Sequence, residues 1–547
     1  MTQPLHKNQI LTGTVADLTS QGEGVVKIDH YPIFVPEALP EEEIRFKVIK
    51  VGKKFGFGKL LEILQPSPER VPIKEPSGHL VGTMTLQHLS YPGQLNYKCK
   101  LVKDVFQRIG GQPDADVRPV LGMDTPWEYR NKAQIPVREI DGQLETGFFR
   151  RNSHDLIAVE HYYIQHPEID QTIVTLRNIL RELKIAPYNE TQHTGVVRHL
   201  IVKRGHYTEE MMVVIVTNTR ELPQKNELVA KITEQLPQVV SIMQNIQSQR
   251  TNAIMGNETH LLWGQPYYTD QMLDLTFKIS ARSFYQVNTM QAERLYQEAI
   301  DAAQLTGTET VLDAYCGIGT ITLALARHAK QVYGMEIVPE AIEMARKNAQ
   351  LNQLVNATFE AGSADHWIRQ WQDEGLHFDV MVVDPPRKGL DADFIQTMIE
   401  LSPDRIVYVS CNPATQARDV KLLCEAGYQL NYVQPVDLFP QTVHVETVAL
   451  LSKLDVDKHI NIEIELDELD LTSAESKATY AQIKEYVWNK YELKVPALYI
   501  AQIKRKCGIE LREHYNKSKK EKQIIPPCTP EKEEAIMDAL RHFKMIE

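Results

Sequence analysis

Val311-Leu312-Asp313-Ala314-Tyr315-Cys316-Gly317-Ile318-Gly319 reads as a short buried strand, an acid at its carboxyl end and a glycine turn that opens a helix. Gly317 and Gly319 let the backbone approach a nucleotide where a side chain would intrude. The spacing predicts a helix over 320–329. Val332 to Glu336 reads as a second strand ending in an acid, followed by a helix over 339–352. Phe378 to Asp384 is a third strand, closed by the rigid turn Asp384-Pro385-Pro386. Val407-Tyr408-Val409-Ser410-Cys411-Asn412-Pro413 is a fourth, β-branched and aromatic, and it stops at a thiol. This alternation over residues 276–453 predicts a parallel, doubly wound α/β sheet. In such sheets ligands lie beyond the carboxyl ends of the strands, where these acids and the cysteine fall.

The glycine turn is compatible with two cofactor types. A dinucleotide fingerprint needs a third glycine, and Thr322 stands in its place. Glu336 can accept hydrogen bonds from ribose hydroxyls. Gly-x-Gly plus that acid fits S-adenosyl-L-methionine, an adenosine cofactor without a diphosphate; on spacing alone a dehydrogenase competes. Amino-methyltransferases use a turn similar to Asp384-Pro385-Pro386 followed by an aromatic, but here Arg387 follows. With a strand-end cysteine downstream, the set suits methylation of carbon. C5 of uracil is too weak a nucleophile to take a methyl group directly, whereas a thiolate adding at C6 makes it reactive. A free thiol titrates near ~8.5, so Cys411 needs activation; the plainer reading is a small buried residue. A base must then remove the C5 proton, and His444-Val445-Glu446-Thr447-Val448 offers Glu446. The plainer reading of Glu446 is a surface carboxylate.

Five segments occur in register: Phe277 to Asn288 (with Phe284 and Gln286), Asp313-x-x-Cys-Gly-x-Gly319, Asp384-Pro-Pro-Arg-Lys-Gly389, Ser410-Cys411-Asn412-Pro413 and His444-Val445-Glu446-Thr447. On these the chain resembles the RNA (uracil-5-)-methyltransferase family over residues 8–453, most like its 23S rRNA branch. The resemblance implies a Rossmann-like class I methyltransferase sheet and an N-terminal OB-like TRAM barrel over 1–62. It implies Cys411 as nucleophile and Glu446 as base. It places Gln286, Tyr315, Glu336 and Asp384 on the cofactor, with Phe284 and Gln286 bordering the uracil. The implied substrate is 23S rRNA. The T-loop uridine of tRNA is the nearest alternative, disfavoured because the family's tRNA branch typically lacks the TRAM module. A non-catalytic RNA-binding or ribosome-assembly factor is a further alternative, against which Cys411, Glu446 and Asp384 argue. The best-known rRNA relatives carry a four-cysteine iron–sulfur cluster. The matching stretch here, Glu75 to His88, has no cysteine, and such a cluster needs thiolates, so none is expected.

Within residues 1–62, Gly24 to Ile28 and Ile33 to Val35 read as strands, and Phe55-Gly56-Phe57-Gly58 beside Lys53, Lys54 and Lys59 reads as a loop suited to stacking on RNA or, equally, as a glycine-rich hairpin with solvated lysines. Residues 63–275 read as a mixed α/β, RNA-binding domain after a proline-rich boundary, with a helix over 95–109. Arg130 and Lys132, and Gly147 to Arg151, pair cations with aromatics as candidate RNA contacts; the alternative is surface charge beside core phenylalanines. Residues 454–547 form a mainly helical extension. Its features are an acidic front, a Thr472/Glu475 capping box, helices carrying Ile483 and Val487 or Ile536, Leu540 and Phe543, and between those helices a basic run from Lys504 to Lys522, read as a contact to RNA phosphates or as a solvated loop joining the helices.

The 547 residues predict three or four domains, and the net charge of −12 argues against a general nucleic-acid coat. The six cysteines form no Cys-x-x-Cys pair, and neither a secretory signal nor an apolar run of membrane-spanning length is present. A cytoplasmic, monomeric protein without membrane contact is expected.

Overall fold

Alternation decides the first unit. Along Glu43–Val51, Ile44, Phe46 and Val48 point inward while Glu43, Arg45 and Lys47 face water. The computed structural model describes residues 5–454, 480–491, 493, 497–507, 530–543 and 545. In it, β1 (Ile10–Leu18), β2 (Gly24–Ile28), β3 (Tyr31–Val35), β4 (Glu43–Val51) and β5 (Gly56–Gln65) close into a barrel in the order β1-β2-β3-β5-β4. The Phe55–Gly58 segment differs from the loop expected of it. Gly56, Phe57 and Gly58 open β5, because parallel pairing of Ile33 with Gly56 and Phe34 with Phe57 closes the barrel. The rings of Phe34 and Phe55 stack outside at 5.2 Å.

A short helix, α1 (Gly78–Val81), precedes α2 (Tyr91–Arg108), which begins four residues before the expected start because Ser90 caps it, accepting from Gly93 N–H. A sheet then forms from β6 (Lys132–Ile140), β7 (Gln143–Phe149), β8 (Leu156–Ala158), α3 (Pro167–Glu182), β9 (Val197–Arg204), β10 (Met211–Thr217), α4 (Lys225–Gln235), β11 (Val239–Ile246) and β12 (Glu258–Gly264). Strand order is β12-β11-β10-β9-β6-β7-β8. Along β10, Met211, Val213 and Ile215 pack toward α3 and α4, while Met212, Val214 and Val216 join the core of the next unit. The middle of the sheet, β9 to β11, is thus buried on both faces.

That next unit starts with the hairpin β13 (Tyr267–Met272) and β14 (Leu275–Ser280), and α5 (Thr289–Ala303). It continues as β15 (Thr310–Asp313), α6 (Thr320–Ala326), β16 (Gln331–Glu336), α7 (Pro339–Leu351), β17 (Ala357–Ala361), α8 (Ala364–Asp373), β18 (Val380–Val383), α9 (Ala392–Leu401), β19 (Arg405–Ser410), α10 (Pro413–Glu425), β20 (Tyr428–Val436) and β21 (Glu446–Lys453). The order is β17-β16-β15-β18-β19-β21-β20. Strands β15 to β19 are parallel as expected, but β21 runs antiparallel between β19 and β20. Residues 437–445 are too few for a helical crossover, so β21 must return against β20. The strand order reverses between β15 and β18, which places the ligand crevice there.

The chain divides into residues 1–456 and 457–547. In the second unit α11 (Tyr480–Tyr491), α12 (Ala497–Lys506) and α13 (Pro530–His542) share a core of Ile483, Val487, Ile500, Ile503, Ile536 and Leu540. Thr472, Glu475 and residues 508–522 of the basic run lie outside the described residues. The start of that run is helical rather than a connecting loop: Lys504 is buried and Lys506 pairs with Glu533. Among the described residues no helix is long and apolar enough to cross a membrane.

Candidate active site

One edge of the third sheet gathers the chemistry. Across consecutive strands, their ends present Glu336 (β16), Asp313 (β15), Asp384 after β18, Cys411 after β19, and Glu446 at the start of β21. Neighbouring strands lie about 4.8 Å apart, so the row spans about 19 Å. The reversed direction of β21 matters here. Ser410 pairs with Thr447, so the first residue of β21 sits beside the last residues of β19. A parallel β21 would put Glu446 at the opposite edge.

Side chains hold this edge together. Asn412 caps α10 by accepting from Ala414 N–H at 3.2 Å, and donates through Nδ2 to the Arg387 carbonyl at 3.0 Å. The cysteine turn is thereby tied to the Asp384-Pro385-Pro386-Arg387 turn. Gln416 donates to the Tyr408 carbonyl at 2.7 Å and accepts from Thr447 Oγ1 at 2.7 Å, linking α10, β19 and β21. Gly389 has φ +76°, and a Cβ there would meet Asp419 Oδ2 at 2.6 Å; Asp419 itself accepts from Leu390 N–H and Tyr408 O–H, both at 2.8 Å.

Buried carboxyls dominate the electrostatics. Burial raises Asp313 to about 6, against the donated bond from Thr322. Burial, with Asp313 adding, raises Asp384 to about 7. Burial, with Asp384 adding and Arg387 opposing, raises Glu446 to about 8. The Cys411 thiol goes up to about 11, from burial first and then from Glu446 and Asp384, while Arg387 pulls it down. These surroundings favour the protonated thiol, and a bound cation would favour ionisation of every one of these groups.

A cofactor with an adenosine and a positive centre fits this edge. Gly319, at φ +87°, packs against Phe359 and opens α6. Thr322, standing where a dinucleotide fingerprint has glycine, donates to Asp313 Oδ2 at 2.6 Å and is fully buried. Glu336 spends one carboxylate oxygen on Val338 N–H at 3.0 Å, leaving acceptor capacity for ribose hydroxyls. Tyr315 packs edge-on against Phe394. Gln286 is buried beside Tyr296, and its carbonyl accepts from Asn131 at 2.9 Å.

Two clefts share a wall at this point. One, of about 330 Å³, is lined by Cys411, Arg387 and His444. It also takes Ser20 and Gln21 from the β1–β2 turn of the barrel, residues with no chemical signal in the sequence. The second, of about 380 Å³, is lined by Arg130, Lys132, Tyr162 and again Arg387 and His444. The structure therefore brings Arg130 and Lys132 to the neighbourhood of Cys411. Burial and Arg130 lower Lys132 to about 8. Phe284 is 65% exposed, on the turn that Lys203 ties down by donating to the Ser280 and Ser283 carbonyls at 3.0 and 3.1 Å. The loop from β20 to Glu446 is anchored by a fully buried ion pair: Lys98 Nζ lies 2.5 Å from Asp437 Oδ1, and Tyr91 donates to Asp437 Oδ2 at 2.9 Å.

The Glu75–His88 stretch is held by hydrogen bonds instead. Glu75 accepts from the Ser77 amide and hydroxyl, Gln87 bonds both backbone groups of Glu75, and Leu86 N–H donates to the Gln441 carbonyl. Among the described residues no group of three or more His, Cys, Asp or Glu side chains could hold a metal ion.

The family model described as tRNA (Uracil-5-)-methyltransferase matches residues 90–454. An uncharacterized RNA methyltransferase of Enterococcus faecalis is 54% identical over 450 residues, covering 82% of this chain and 98% of the relative. Another, from Lactiplantibacillus plantarum, is 52% identical over 451 residues with the same coverage. The crystal structure of Pyrococcus abyssi tRNA (uracil-54, C5)-methyltransferase in complex with S-adenosyl-L-homocysteine superposes with a TM-score of 0.65 and 29% identity, over 81% of this chain and 100% of that one.

Proposed function

The chain belongs to the tRNA (uracil-5-)-methyltransferase family, and from that premise we propose that it methylates C5 of uridine in 23S rRNA, in the cytoplasm, through a covalent adduct on Cys411. The observation that carries the mechanism is the pairing of Ser410 with Thr447, which sets a strand-end thiol beside a buried carboxylate. S-adenosyl-L-methionine supplies an electrophilic methyl group. Glu336 takes the ribose, Tyr315 and Gln286 flank the cofactor, and Asp384 with its neighbouring acids faces the positive sulfur. Phe284 and Gln286 border the uracil, while Arg130 and Lys132 receive the RNA backbone.

Cys411 ionises with help from Arg387, and its Sγ bonds to C6 of the ring. The electron pair of the C5–C6 double bond moves to C5 and forms the bond to the methyl group, while the methyl–sulfur bond breaks and its pair would stay on sulfur, leaving S-adenosylhomocysteine. Glu446 then accepts the C5 proton. The electron pair of the broken C5–H bond re-forms the C5–C6 double bond as the C6–S bond breaks, and the thiolate leaves. Arg387 lowers both Cys411 and Glu446, so it favours the ionised form of each partner.

The test uses two variants. Cys411→Ala should abolish transfer and keep affinity for S-adenosylhomocysteine. Glu446→Gln should accumulate a protein–RNA band on denaturing gels, because the methylated adduct cannot eliminate. Methylation by Cys411→Ala would sink the covalent mechanism.

The Pyrococcus structure favours tRNA as a second reading of the substrate. A protein named for uracil-54 of tRNA aligns over its whole length, so the barrel separates the two substrates less sharply than the sequence alone implied. Mass mapping of rRNA and tRNA from a deletion strain decides between them: the missing 5-methyluridine identifies the substrate.

A further inference from the structure

Beyond the two clefts at the sheet edge lies a third, of about 310 Å³, on the central sheet. It shares Gln134 and Phe148 with the cleft of Arg130 and Lys132, which in turn shares Arg387 and His444 with the cleft of Cys411. The three are thus neighbours through shared walls, in a series leading away from the thiol. Four features distinguish its far end.

A β-bulge aims two polar side chains into it. Val216 pairs with His199 and Thr217 with Val197, so Arg198 is an extra residue on β9. Bulges re-aim side chains that would otherwise alternate, and both Arg198 and His199 line the cleft. Arg198 is 4% and His199 8% exposed, and each keeps a buried nitrogen without a partner, Nε and Nδ1. Buried polar atoms in folded proteins normally find partners, and these two are left for something else. The cleft also has an aromatic wall: Phe149 stacks on His154 at 5.5 Å, with the Arg138 guanidinium 5.2 Å from the Phe149 ring. Its charge is net positive. Arg138 has Glu190 at 3.7 Å, whereas Arg198 donates to the carbonyls of Gln247 and Gln249.

We propose that this cleft binds one unstacked nucleotide of the RNA substrate, at a distance from the uridine that reacts. The base lies against the Phe148–Phe149 wall, its edge meets the unpartnered nitrogens of Arg198 and His199, and its phosphate faces the arginine pair. Single-stranded RNA is recognised in this way, by stacking on aromatic and guanidinium planes with hydrogen bonds to base edges. This assignment rests on RNA being the substrate but not on the covalent mechanism.

Affinity rather than turnover tests it, so a failure of the mechanism leaves this test decisive. The probes are unmodified 23S rRNA and tRNA transcripts, with S-adenosylhomocysteine as control, and the full chain is used. Phe149→Ala removes the wall. Asn252→Trp fills the cleft from an exposed lining position, without taking anything out of a core. Each should weaken binding of the preferred transcript by roughly 5- to 150-fold, the range that one base–aromatic stack is worth. Affinity for S-adenosylhomocysteine should not change. Unchanged transcript affinity in Asn252→Trp would overturn the assignment, as would equal loss of both RNA and cofactor affinity in the two variants.

Discussion

Glu446→Gln should make the ligand-free protein more stable, and increasingly so as pH rises. The carboxyl is 4% exposed, and its folded value stands at about 8 against an ordinary glutamate value of 4.5. Below the ordinary value both the folded and the unfolded chain hold the proton, and Glu446 costs nothing. As pH rises past it, the unfolded chain releases the proton while the folded chain keeps it up to about 8. Stability is therefore lost across that window and stays lost above it. At about 1.36 kcal/mol for each tenfold difference in proton affinity, the deficit is about 1 kcal/mol at pH 5 and about 4–5 kcal/mol at pH 8.5. Gln keeps the shape and removes the titration. Urea unfolding of both proteins at the two pH values should show the variant gaining about 4 kcal/mol between them, a large share of a domain's 5–15 kcal/mol. A gain that is the same at both pH values would refute the claim that a buried carboxyl causes it.

Lys98→Met should cost about 3–5 kcal/mol, because it leaves the Asp437 carboxylate buried with only the Tyr91 hydroxyl; adding Asp437→Asn should recover most of that, as a double-mutant cycle in urea would show. Lys203→Met leaves the Ser280 carbonyl with only the Ser283 N–H and orphans the Ser283 carbonyl at about 1–3 kcal/mol, so the turn bearing Phe284 loosens; KM for RNA should rise severalfold while the affinity for S-adenosylhomocysteine holds, and an unchanged KM would count against that role. Protein purified anaerobically should be colourless and iron-free, since residues 75–88 carry no thiolate; stoichiometric iron by elemental analysis would contradict this.

Much of the site was legible in the chain because parallel β-α units put their strand ends on one side. Once Asp313, Glu336, Asp384 and Cys411 are read as strand ends, their shared edge follows from topology. Glu446 was harder, since its proximity to Cys411 depends on β21 running backwards, and periodicity carries no strand direction. The barrel was legible as a set of short strands, yet Ser20 and Gln21 were not: their place in the Cys411 cleft comes from packing between units. Arg198 and His199 escaped for a related reason. A bulge is set by the partner strand's register, and strict alternation would send the two side chains to opposite faces. Lys504 misled in the other direction, since a basic run looks solvated whereas this lysine is buried on α12.

The position of β21 bears on how the protein is made. Strands β19 and β20 leave the ribosome first, with a gap between them that only the last strand of the sheet can fill. Until residues 446–453 have emerged, the nascent chain displays Cys411 beside two unsatisfied strand edges and without Glu446. A chain terminated early in this interval carries the Cys411 thiol with no Glu446 next to it. The 94 residues that follow Lys453 are added after β21, so the strand that closes the sheet precedes the last part of the chain to be made.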